Sequence, residues 1–64
     1  MRNWLKELRA KSGMTEKQIA FQSGISQQFY NYIENGKRRP SVETAKKIAA
    51  LLGFDWTRFY EEGE

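Results

Sequence analysis

Residues 15–36 read TEKQIAFQSGISQQFYNYIENG, and the way this stretch bends decides the fold. Thr15 and Gln18 stand three apart, just ahead of the apolar pair Ile19 and Ala20. The Thr15 hydroxyl can accept from the backbone N–H of Gln18 while the Gln18 side chain reaches back, so a helix is expected to open at Thr15. It ends near Ser23, because Gly24 follows. A second helix opens at Ser26 and runs to about Asn35, with Gly36 as its stop. Only Ser23-Gly24-Ile25 joins the two. A link that short keeps two helices from lying antiparallel, so they must cross at a steep angle. Ala20 is small where the helices approach most closely, and Gly24 can take the positive φ that a tight turn needs. Ile25 and Ile33 are apolar where a core contact is required.

Outward from this centre the chain reads as three more helical pieces. The first spans Asn3 to Ser12, with Trp4, Leu5 and Leu8 as its apolar stripe and Gly13 as its stop. The fourth follows Pro40. Ser41 caps it, Glu43 lies in its favourable first turn, and Val42, Ala45, Ile48, Ala49 and Leu52 share one face up to Gly53. The fifth is short, with Asp55 as N-cap and Phe54 and Phe59 placed to form a hydrophobic staple. No stretch alternates with period two for long enough to make a strand. The expected fold is all-α, compact and five-helical.

Sixty-four residues allow one small domain, with a core over 3–60 and an acidic tail over 61–64. The 39% of hydrophobic residues suffices for one compact core and exceeds what a disordered tail carries. The absence of Cys and His removes disulfides, thiolate nucleophiles, the usual zinc sites and any histidine base. No glycine-rich phosphate loop or convincing carboxylate pair is present, so neither an enzyme nor a cofactor is expected. No 18-residue apolar run exists, which argues against a membrane partner, and Met1 to Ala10 lacks the apolar stretch of a signal peptide. A cytoplasmic chain follows by default. Charge is uneven: residues 1–54 hold ten Lys/Arg against four Glu, whereas residues 55–64 hold Arg58 against four acids. A basic body of this kind favours an anionic partner, nucleic acid above all.

The runs Met14-Thr15-Glu16-Lys17-Gln18-Ile19-Ala20, Ser23-Gly24-Ile25-Ser26 and Ile33-Glu34-Asn35-Gly36-Lys37-Arg38-Arg39-Pro40-Ser41 resemble the lambda-repressor/Cro-type helix-turn-helix family. This is a large group of bacterial and phage transcription regulators, also described as xenobiotic-response-element-like. The similarity extends from Leu5 to about Phe59, and the Ile33–Arg38 segment is its most specific part. The resemblance implies a DNA-binding domain whose third helix enters the major groove, usually as a homodimer on a two-fold operator. The function it implies is sequence-specific regulation of transcription, as a repressor. It also implies a structural ion pair between Arg9 and Glu34. Three positions depart from the family pattern. Glu16 stands where a Gln usually helps hold a phosphate, and a carboxylate would repel one. Tyr30 replaces a core Ile or Val, and its hydroxyl then needs a partner. Phe21 falls off the inward face of the second helix.

The third helix divides into two faces at about 100° per residue. Ser26, Phe29, Tyr30 and Ile33 point roughly one way. Gln28, Asn31 and Asn35 point the other way, flanked by Gln27 and Tyr32. This outer stripe is polar but uncharged, whereas a stripe selected for solubility alone would carry Lys and Glu. Amides suit base reading, because Gln and Asn can donate to and accept from adenine together. Gln27 and Gln28, with Asn31 and Tyr32, are therefore expected to read bases. Ser26, Asn35, Lys37, Arg38 and Arg39 are expected on phosphates beside the groove.

Phe54, Trp56, Phe59 and Tyr60 gather four of the nine aromatics within seven positions. Helix four cannot cover them all, and Trp56 and Tyr60, spaced i, i+4, are expected at a dimer interface. The rival reading is a protein-interaction or antitoxin-type module that uses this C-terminal aromatic surface. RNA is disfavoured, since no sheet offers an aromatic platform for stacking bases. No feature suggests a small-molecule effector.

Overall fold

The computed structural model describes residues 1–61; of the expected acidic tail, positions 62–64 lie outside the described residues. Four α-helices follow in order: α1 (Asn3–Ser12), α2 (Glu16–Ser23), α3 (Gln27–Glu34) and α4 (Val42–Leu52). The expected fifth helix is instead a 3₁₀ turn, Trp56–Tyr60. Its tightness has a local cause: the Asp55 carboxylate accepts from both the backbone N–H and the hydroxyl of Thr57, which closes a short first turn. No strand occurs among the described residues.

The caps read from the sequence are in place. Thr15 and Gln18 make the reciprocal capping box of α2, and the Ser26 and Ser41 hydroxyls accept from Phe29 N–H and Thr44 N–H. Gly24 adopts φ +76°. Its N–H bonds Phe21 O, while Ile25 N–H reaches back to Ala20 O at 3.0 Å. This paired closure ends α2, satisfies its last free carbonyls and turns the chain sharply into α3. All three residues of the elbow contribute to the bend. Ser23 is buried at the helix end, Gly24 reverses the chain, and Ile25 packs back against the core.

Leu5, Ile19, Ala20, Tyr30, Ile33, Ala45, Ile48, Leu52 and Phe59 form the buried core, to which every helix and the 3₁₀ turn contribute. Phe59 enters from the C-terminal side and meets Trp4 and Phe54, with ring centroids 5.2–5.5 Å apart across the three pairs. The expected Phe54–Phe59 staple is one edge of this trio. Burial of such side chains contributes about 1.5–3 kcal/mol each, which makes this the main source of stability in a chain so short. One core expectation fails: Val42 is half exposed. It lies at the margin of the arc centred on Ala45 and Leu52, and in the terminal turn of α4, so the core passes beneath it.

Candidate nucleic-acid interface

The core and the elbow leave α3 with one face inside and one outside. Inside, Tyr30, Ile33 and Glu34 have no exposed surface. Outside, Gln27 and Gln28 are exposed, while Asn31, Tyr32 and Asn35 are half-buried. The four expected base readers come together with Glu16, at the start of α2, around one shallow polar notch. Gln28 Nε2 donates to the Tyr32 hydroxyl at 2.8 Å. Asn31 is held from two sides. Its Nδ2 donates to the Glu16 carboxylate at 3.4 and 3.5 Å, and its Oδ1 accepts from Asn35 Nδ2 at 3.0 Å. Asn35, expected on a phosphate, therefore also braces Asn31. Ser26, likewise expected on a phosphate, has its oxygen accepting the Phe29 N–H as the cap of α3.

The buried side of α3 is pinned by charge. Arg9 Nε donates to Glu34 Oε2 at 2.5 Å, and its Nη2 reaches the other carboxylate oxygen at 3.4 Å. The hydrogen bond to Glu34 raises the Arg9 pKa further, outweighing the desolvation that opposes it, and the charges of Glu34 and Glu16 add lesser contributions. The ion pair implied by the family resemblance is thus present, with Glu34 fully buried. Glu16 lies 4.0 Å from Arg9. Partial desolvation, then the neighbouring Glu34 carboxylate, raises the pKa of Glu16. Tyr30 fills the core position expected of it. Its hydroxyl is buried near Glu34 without a hydrogen bond of standard geometry, and burial, then the charge of Glu34, raises its pKa strongly.

Beyond α3 the cationic loop Lys37-Arg38-Arg39 is exposed. Gly36, at φ +77°, lets the backbone N–H groups of Lys37 and Arg38 fold back onto Tyr32 O, at 2.9 and 3.3 Å. A Cβ at Gly36 would stand 3.2 Å from the backbone nitrogen of Met1, so a side chain there would be crowded by the chain start as well as strained by the positive φ. The chain start packs here because of Arg2, a residue that no sequence pattern singles out. Arg2 is 6% exposed. Its guanidinium donates to Ile33 O and Arg38 O, and its backbone N–H donates to Glu34 O. It thereby pairs Glu34 O, adds a second donor to Ile33 O beside the Gly36 N–H, and ties the last turn of α3 to the loop. No local pattern marks such a residue, since its partners lie more than 30 positions away. Arg39, at the far end of the loop, stacks 5.4 Å over the Tyr60 ring, and the Tyr60 hydroxyl donates to Pro40 O at 2.7 Å.

The two aromatics expected at a dimer interface are thus engaged within the chain. Trp56 is half-buried, edge-on to Tyr60, with Lys46 Nζ 5.2 Å from its ring centroid. Tyr60 keeps 36% of its surface exposed, and Phe21 keeps 85%. No helix among the described residues is long and apolar enough to cross a membrane.

The sequence that folds this way is similar to those of known proteins. A family model described as helix-turn-helix matches residues 5–59. The uncharacterized HTH-type transcriptional regulator YqaF of Bacillus subtilis (strain 168) is 48% identical over 62 residues, covering 97% of this chain and 82% of its own. An uncharacterized HTH-type transcriptional regulator of Archaeoglobus fulgidus is 41% identical over 52 residues, covering 81% of this chain and 74% of its own. The control protein C.MunI of a Mycoplasma species is 35% identical over 63 residues, covering 97% of this chain and 85% of its own. No solved structure matches the chain.

Proposed function

This chain belongs to the Cro/C1-type helix-turn-helix family of DNA-binding transcriptional regulators, and from that premise we propose that it reads one duplex sequence with the outer face of α3 and represses transcription there. The observation that carries the reading is the convergence of Gln27, Gln28, Asn31 and Tyr32 on one exposed notch beside an exposed run of three cations. Amide and hydroxyl groups offer base edges paired donors and acceptors, which is what sequence discrimination in the major groove requires. Lys37, Arg38 and Arg39 supply the sequence-independent attraction to phosphate, helped by Ser26 and Asn35 at the two ends of the helix. In this division the loop sets register and affinity, and the helix sets specificity.

The chain acts as a single cytoplasmic domain without enzymatic activity, and two copies bind a two-fold operator. The exposed edges of Trp56 and Tyr60 are the surface through which the copies meet. The exposure that Tyr60 keeps beside Trp56 supports this arrangement. The experiment is selection of binding sites from random duplex DNA, followed by fluorescence anisotropy on the selected and a scrambled duplex at several salt concentrations. A preference of about 10³-fold or more for the selected duplex is the expected result. Equal binding of the two duplexes, or none, contradicts sequence-specific reading. Sedimentation with and without the selected duplex tests the dimer, and a monomer under both conditions removes it.

A further inference from the structure

We propose that Glu16 is a specificity-determining residue, which turns the notch beside α3 into a site for an adenine edge and lowers affinity for DNA in general. The inference rests on the DNA-reading function above and goes beyond it by naming a base and a residue outside α3. Glu16 belongs to α2, yet its carboxylate lines the same notch as Gln27, Gln28, Asn31 and Tyr32. An ionised carboxylate can only accept hydrogen bonds. The Asn31 amide must therefore turn its Nδ2 toward Glu16, as observed, and Asn35 holds its Oδ1 from the other side. Gln28 differs, because its partner is the Tyr32 hydroxyl, which can accept or donate. Gln28 can present either end of its amide; Asn31 cannot.

A fixed polarity selects a fixed base edge. The Glu16 carboxylate retains acceptor capacity, and the second hydrogen on Asn31 Nδ2 is a donor beside it. In the major groove adenine offers the complement, an N6 amino donor next to the N7 acceptor. Cytosine offers a donor alone, and guanine and thymine turn carbonyl oxygens toward the carboxylate. The order of preference is therefore adenine, then cytosine, then guanine and thymine. The same negative charge faces the phosphates of any duplex whatever its sequence, so Glu16 lowers general affinity while it sharpens selection. Arg9 lies 4.0 Å away and attracts the carboxylate toward this position.

The test compares the whole chain with Glu16→Gln and Asn31→Ala, by binding-site selection and by anisotropy on the selected and a random duplex. Melting curves verify that both variants fold. Wild type is expected to select adenine at one position of its site. Glu16→Gln removes the charge and the enforced polarity. It should lose about fivefold or more of that preference and bind random duplex about three- to tenfold tighter. Asn31→Ala should lose the same preference at the same position without the gain on random DNA. A merely structural Glu16 would move stability and leave the selected sequence alone. Unchanged selection by both variants, or weaker binding of Glu16→Gln to every duplex, overturns the proposal while leaving DNA reading intact. Failure of wild type to bind any duplex overturns both.

Discussion

Glu34 and Gln28 belong to the same eight-residue helix, and their side chains are handled in opposite ways. Glu34 is sealed inside, with both carboxylate oxygens taken by Arg9. Gln28 is exposed, and its side chain donates to a hydroxyl four residues on. The carboxylate fixes where the helix sits; the amide is left for something outside the chain. A buried charge tolerates a single geometry, since losing its partner leaves an unpaired ion in low dielectric. An exposed amide tolerates many geometries, and that freedom lets it meet a base edge. The two ends of α3 repeat the contrast. Its last turn is held by Arg2, Arg9 and the closing loop, whereas at its start the Ser26 cap leaves Gln27 and Gln28 facing solvent.

Substitutions can break this contrast from either side, and the largest effect is expected inside. Arg9→Ala strands the Glu34 carboxylate and should cost about 3–5 kcal/mol, measured by chemical denaturation. A loss under about 1 kcal/mol would show instead that the pair behaves like an exposed one. Arg2→Ala removes its hydrogen bonds to Arg38 O and to Ile33 O, the latter still paired by Gly36 N–H, at a cost of about 2–3 kcal/mol, and should also weaken binding to every duplex by loosening the loop. Outside, the effects move from stability to recognition. Gln28→Ala should leave the unfolding free energy within about 0.5 kcal/mol. It should cost about 1–3 kcal/mol on the selected duplex and little on a scrambled one. Equal weakening on both would take Gln28 out of the readers. The smallest change is Lys37→Ala, which should flatten the slope of log K against log salt by about 0.9 without altering sequence preference. An unchanged slope would place Lys37 off the phosphates.

The two sides of α3 are not equally legible in the sequence. The elbow can be read because each of its parts is local: a capping box, a glycine and a short link carry their geometry within a few residues. The same holds for the start of α4 and for the stripe of α3. The fifth element is legible in place but not in winding, because the Asp55–Thr57 contact that tightens it is a matter of side-chain choice. Periodicity puts Val42 on the core face and cannot say where the core ends. Arg2 leaves no trace, since its meaning lies in carbonyls at the other end of the recognition unit. The amide stripe is visible as a set, but its internal wiring is not. Nothing in the spacing shows that Glu16 holds Asn31 while Gln28 leans on Tyr32.

The most direct test of this division of α3 is to follow the side-chain amide and methyl resonances of the chain by NMR as selected duplex is added. The expected result is large shifts at the Gln27, Gln28 and Asn31 amides, smaller ones along Lys37–Arg39, and a near-silent core at Ile19, Ile33 and Ile48. Shifts centred on Phe21, Trp56 and Tyr60, with the α3 amides unmoved, would contradict it.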